Sequence, residues 1–156
     1  MRVAITANRN LTRRDEATID ARCADLCALS PAEVIVGGAR GGDTAALVAV
    51  ARHRGPATAL VVVVPGTLAE QPREAREAVR LWCSPGRDVV IELGLTITAA
   101  DGFEAFKVRN RVMLDRGTHG LGFWNGDRRS GTYSALAYAA RIGRPTWVEA
   151  LEGDDR

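Results

Sequence analysis

Glu33-Val34-Ile35-Val36-Gly37-Gly38-Ala39-Arg40-Gly41-Gly42-Asp43-Thr44 is a short β-branched run that breaks into four glycines within six residues and then enters an apolar stretch. The run reads as a buried strand and the following stretch as a helix, Asp43–Arg54, with Asp43 as its N-cap. Strand, glycine turn and helix in that order form the repeating unit of a parallel sheet covered by helices. Glycines let a backbone approach a ligand closely. The first turn of a helix offers free N–H groups and a positive dipole end. Gly37, Gly38, Ala39, Arg40, Gly41 and Asp43 are therefore candidate phosphate-binding residues, with Arg40 as a charge-assisted donor. The loop lacks the Lys-Ser/Thr of a Walker A motif and the spacing of the dinucleotide GxGxxG.

The same alternation extends in both directions. Strands are expected at Arg2–Thr6, Ala59–Val64, Asp88–Leu93, Gly120–Trp124 and Thr146–Glu149, and helices at Asp15–Leu29, Leu68–Cys83, Phe103–Asp115 and Thr132–Ile142. Ala59–Val64 is apolar at every position, as befits a central parallel strand covered on both faces. Gly94–Gly102 reads as loop. The expected fold is α/β: a single Rossmann-like three-layer domain with a mostly parallel sheet of about six strands over residues 1–150. Residues 151–156 form an acidic tail, frayed from Glu152 onward.

Bulk properties narrow the class. A chain of 156 residues is one domain by length, and 46% hydrophobic with 26% charged residues is ordinary for a globular protein. The net charge of +2 does not argue for a strongly basic nucleic-acid binder, yet leaves room for a local basic groove. Lys107 is the sole lysine and the other basic residues are arginines, a usage typical of GC-rich genomes. No signal-peptide pattern opens the chain and its longest apolar run is too short for a bilayer, so a cytoplasmic protein away from membranes is expected. Cys23, Cys27 and Cys83 lack metal-ligand spacing, and no metal site is expected.

In an open parallel sheet ligands bind beyond the carboxyl ends of the strands. Two further loops leave those ends. Thr6-Ala7-Asn8-Arg9 follows the first strand, and Thr6, Asn8 and Arg9 are candidates. Asn125-Gly126-Asp127-Arg128-Arg129-Ser130-Gly131-Thr132 follows the fifth and repeats the device of a capped helix start, making Asn125, Gly126, Ser130, Gly131 and Thr132 candidates. Arg109 and Asn110 of the preceding helix add donors from the side, and Trp124 is placed to stack on a base.

These residues resemble the SLOG superfamily, which includes the DNA-processing protein DprA, the LOG phosphoribohydrolases, the YspA-like proteins and the molybdenum-cofactor carriers. Val36–Asp43 resembles the SG(G/L)ARGxD motif, Arg109-Asn110-Arg111-Val112-Met113 the RNR or RNxxM segment, and Phe123–Gly126 with Ser130–Thr132 the terminal loop. Ala140–Pro145 is similar to the A-R-x-G-x-P of YspA-like chains.

The resemblance implies a crevice for a nucleotide or nucleotide-like phosphorylated ligand, with no required cofactor and with a bound nucleotide or a molybdenum-cofactor-like pterin as occupants. It also suggests a homodimer. Two alternatives stay open: a LOG-like nucleoside 5′-monophosphate phosphoribohydrolase, and DprA-like binding of single-stranded DNA. Ala7-Asn8-Arg9 stands where the usual motif is GSR. Tyr133-Ser134-Ala135 follows Thr132 where LOG enzymes carry the glutamate of PGGxGTxxE. Hydrolysis of an N-glycosidic bond needs a carboxylate to stabilise an oxocarbenium-like state. Asp127 and Glu104 are the only nearby candidates, and no catalytic residue is assigned.

Overall fold

The computed structural model describes residues 1–98 and 102–153. The strands are β1 (Arg2–Ala7), β2 (Glu33–Gly37), β3 (Ala59–Val64), β4 (Val89–Glu92), β5 (His119–Trp124) and β6 (Thr146–Ala150). The helices are α1 (Arg13–Ala28), α2 (Gly42–His53), α3 (Arg73–Trp82), α4 (Gly102–Arg116) and α5 (Gly131–Arg141), with a 3-10 turn at Leu68–Glu70. The strands form one sheet in the order β4-β3-β2-β1-β5-β6. Every pairing between them is parallel.

Side-chain alternation along the strands sends two cores to opposite faces. Val3, Ile5, Val34, Val36, Leu60 and Val62 pack against Ile19, Leu47 and Val79 of α1, α2 and α3. Ala4, Ile35, Val61 and Val63 pack against Met113, Leu114, Ala135 and Ala139 of α4 and α5. The β3 residues Leu60–Val64 are buried without exception, because both faces are covered.

Three expectations need correction. The helix predicted over Leu68–Cys83 is two elements, because Gln71 and Pro72 are extended and Pro72 starts α3 afresh. Asp43 is not the N-cap of α2: Gly41 holds that position, and the Asp43 side chain accepts from Ala39 N at 3.2 Å instead. The chain end is not frayed at Glu152 and Gly153. Their amides donate to the Asp15 carboxylate at 2.7 and 3.0 Å, and Leu151 is buried. Asp15 also closes a capping box with Thr12 at the start of α1, so one buried carboxylate joins the two ends of the domain. The part of the predicted loop at residues 99–101 and the tail at 154–156 lie outside the described residues. No helix among the described residues is long and apolar enough to cross a membrane.

Candidate functional site

From β1 the chain works outward through β2, β3 and β4, then returns to place β5 and β6 on the other side. The strand order therefore reverses between β1 and β5, where their diverging loops open a crevice. A cleft of about 530 Å³ lies there. It is lined by Thr6–Asn10 at and beyond the end of β1, by Ala39 and Asp43, by the Phe103–Asn110 face of α4, and by Asn125, Asp127 and Arg129–Thr132 leading into α5.

Asn8 ties these loops together. Its N–H donates to Phe123 O at 3.1 Å, its side-chain oxygen accepts from Asn125 N at 2.7 Å, and its carbonyl accepts from Gly42 N at 3.0 Å. One residue thus fixes the β1 loop against both the β5 loop and the start of α2, and it is buried. Thr6 Oγ1 and Thr132 Oγ1 meet across the base of the cleft at 3.4 Å.

The glycine loop is organised differently from a ligand cradle. Gly41 has φ +75°, and a Cβ there would lie 1.8 Å from Arg9 O. A Cβ on Gly42 would meet Ala7 Cβ and Asn8 O at 2.4 Å each. A Cβ on Gly37 would overlap the Arg109 guanidinium, and one on Gly38 would press on Val64. These glycines are small because other parts of the chain occupy the adjacent space. Gly37, Gly38 and Gly41 do not line the cleft, and Arg40 faces a separate groove between α1 and α2.

Arg109 is almost fully buried and donates to Asp43 at 2.9 Å. Burial of an ion pair is tolerated only with such close geometry. Asp43 thereby anchors both Ala39 and α4. Arg9 is the contrasting cation: it is exposed, with no carboxylate in salt-bridge range among the described residues. Its guanidinium sits 4.7 Å from the centre of the Phe106 ring, which Arg109 approaches at 5.3 Å. Partial burial, and then the like charges of Arg109 and Arg40, lower the Arg9 pKa against the pull of Asp43. Asp43 is paired with Arg109, and Arg9 feels the charges of Arg109 and Arg40 against that one carboxylate.

Asn110 is 7% exposed, and its side chain lines the cleft without a hydrogen bond to another described residue. Its amide nitrogen faces the start of α5, 3.9 Å from where a Cβ of Gly131 would stand. There Ser130 Oγ accepts from Tyr133 N at 3.1 Å and so caps the helix. Among the described residues the fully buried side-chain polar atoms without a partner are Arg109 Nε and Arg144 Nε, so the Asn110 amide opens onto the cleft beside this helix N-terminus.

Two expectations about the rim change. Trp124 does not line the cleft: its ring stacks on Tyr133 at 5.6 Å and its Nε1 donates to Asp127 O. Gly126 lies outside it as well. Phe103, Phe106 and Lys107 were missed. They lie on α4 at positions 103, 106 and 107 before Asn110, the i, i+3, i+4, i+7 stripe of one helix face. Of the candidate acids, Asp127 lines the cleft, and the Arg129 N–H and side chain hold its carboxyl below the ordinary range. Glu104 is absent from the lining and its carboxylate pairs with Lys107.

No family model matches this chain, and no curated protein matches it in sequence. Among solved structures, DNA processing protein A from Helicobacter pylori, described for its single-stranded DNA binding mode, matches with a TM-score of 0.73. The match covers 99% of this chain and 68% of that one at 21% identity. The two proteins share a fold. A structure from Aspergillus oryzae assigned to the mandelate racemase/muconate lactonizing group matches at TM-score 0.37 and 11% identity, over 95% of this chain and 36% of that one, and supports nothing further.

Proposed function

We infer that the cleft between β1 and β5 binds the phosphate of a nucleotide-type ligand, and that the protein acts by binding. The observation that carries this reading is Asn110. Its amide opens onto the cleft toward the N-terminus of α5, and Arg9, which has no carboxylate in salt-bridge range among the described residues, lines the same cleft. A phosphate there would accept from the first amides of α5, from Asn110 and from Arg9. Phe106 and Phe103 supply flat apolar surface for a base or another planar ring.

Hydrolysis is the weaker reading. Asp43 is closed off by Arg109 and Ala39, Asp127 is ionised and turned to Arg129, and Ala135 occupies the helix position where a carboxylate would be needed. A second reading, single-stranded DNA as the ligand, is favoured by the fold shared with DNA processing protein A.

Calorimetry with nucleoside monophosphates, a phosphorylated pterin and inorganic phosphate tests the reading. The expected result is saturable binding of a phosphorylated ligand, weakened at least about tenfold by Asn110→Ala or Arg9→Ala. Failure of every phosphorylated ligand to bind the folded protein would sink it. Release of ribose 5-phosphate from AMP would replace it with the hydrolytic one.

A further inference from the structure

Arg9 stands between two cavities. It lines the cleft, and together with Asn10 it also lines an open groove of about 800 Å³ between α1 and α2. Two further arginines of that groove come from the starts of the same helices. Arg13 is the first residue of α1, four positions after Arg9, and Arg40 precedes Gly41, the N-cap of α2. The loop that carries Arg40 is seated directly on the backbone of Arg9. Gly42 N donates to Asn8 O at 3.0 Å, and a Cβ on Gly41 would lie 1.8 Å from Arg9 O. Arg9, Arg13 and Arg40 therefore gather at the end of the groove that adjoins the cleft.

All three are exposed, and none has a carboxylate in salt-bridge range among the described residues. Partial burial and then, against the pull of Asp43, the charges of Arg109 and Arg40 lower the Arg9 pKa, so Arg40 is close enough to act on it. The groove is also lined by Glu16, Asp20 and Glu74. Asp20 is turned to His53 and Arg52, in the last turn of α2 and so at the opposite end of that helix from Arg40. Glu16 and Glu74 are exposed and form no ion pair among the described residues.

We propose that the ligand of the cleft carries two adjacent phosphoryl groups, one at the N-terminus of α5 and the other on the groove side of Arg9, held there by Arg13 and Arg40. This rests on the phosphate reading of the cleft and narrows it from any phosphorylated ligand to a diphosphate, such as a nucleoside 5′-diphosphate. The planar guanidinium fork of Arg9 suits oxygens of two neighbouring phosphoryl groups at once. A monophosphate fills the cleft side alone and leaves Arg13 and Arg40 unused. The phosphodiesters of a nucleic-acid strand carry one charge each and are separated by a sugar, so they do not concentrate charge at one arginine in this way.

Calorimetry of the full chain in EDTA with AMP, ADP, orthophosphate and pyrophosphate tests this. ADP is expected to bind at least about tenfold more tightly than AMP, and pyrophosphate to exceed orthophosphate by a similar factor. Arg13→Gln and Arg40→Gln should each weaken ADP about tenfold and AMP about twofold or less, so that the double variant loses the preference. Both side chains are exposed, so the fold is retained. Arg141→Gln removes the same charge from a surface that lines neither cavity and should leave the preference intact. Equal affinity for AMP and ADP overturns the diphosphate and leaves the cleft reading standing. A preference for ADP that survives in the double variant, or that Arg141→Gln erases equally well, also overturns it, because charge alone and not this arginine cluster would then be at work. Tighter binding of adenosine 3′,5′-bisphosphate than of ADP overturns the adjacency of the two groups. Failure of all these compounds to bind the folded protein overturns the cleft reading itself.

Discussion

Replacing Arg109 by methionine keeps the length and volume of the side chain and removes its charge. Asp43 would then stand as a carboxylate 7% exposed with one remaining hydrogen bond, from Ala39 N. At the observed 2.9 Å the gross attraction is about 6 kcal/mol at an effective dielectric near 20. Part of that is offset by taking both ions out of water, so the net cost of breaking the pair from one side is about 3–5 kcal/mol. With a urea slope near 2 kcal/mol/M, the unfolding midpoint should drop by roughly 2 M. Asp43→Asn in the Arg109→Met background removes the stranded charge, retains an acceptor for Ala39, and should recover about half of the loss. Gly37→Ala attacks the same pair by another route, since its Cβ would overlap the Arg109 guanidinium. It should resemble Arg109→Met in equilibrium urea unfolding followed by circular dichroism. A loss below about 1 kcal/mol for Arg109→Met, or a double variant whose cost is the sum of the two singles, would refute the claim that this buried pair organises the glycine loop.

Three other perturbations have defined outcomes. Gly41→Ala forces a side chain onto φ +75° and against Arg9 O, so it should cost about 1–3 kcal/mol in strain and lower the melting temperature by about 5 °C or more. Asp88 sits almost unexposed beneath Arg54. Burial alone would raise its pKa, but hydrogen bonds from Arg54, Ser84 N and Leu60 N together hold it down at about 2. Because the folded value lies below the unfolded one, its stabilisation of about 2 kcal/mol is complete above about pH 4 and lost as pH falls through about 2. Asp88→Asn should flatten that part of the curve of urea midpoint against pH. Asp15→Ala should expose the Glu152 and Gly153 amides, seen as loss of hydrogen-exchange protection there, and should cost about 1–3 kcal/mol. Unchanged protection would show that the chain end is held by other contacts.

The order of elements was legible because each strand is a short β-branched or apolar run and each helix a longer periodic one. Its one failure, the helix over Leu68–Cys83, had a visible cause in Pro72: a residue before proline is pushed out of the helical region, so a break at Gln71 follows from local sterics. The site was legible at the level of which loops converge, because strand ends and the reversal of strand order determine that. The uses of its residues were harder to read, for two different reasons. Trp124 could have been placed. Leu121 and Phe123 point to the α1 side, so period-two alternation sends Gly122 and Trp124 to the α5 side, where Gly122 abuts Leu136 and Trp124 meets Tyr133. Asp43 and the glycines could not. Asp43 has the composition of an N-cap, and is drawn away by a guanidinium 66 positions later in the chain. A glycine-rich turn has the same composition whether its open space admits a phosphate or another stretch of backbone. What decides between the two is which atoms arrive there, and at Gly41 the arriving atom is the carbonyl oxygen of Arg9. The donors that the proposed ligand would use lie instead across the cleft, on the Asn110 amide that lines it and at the start of α5.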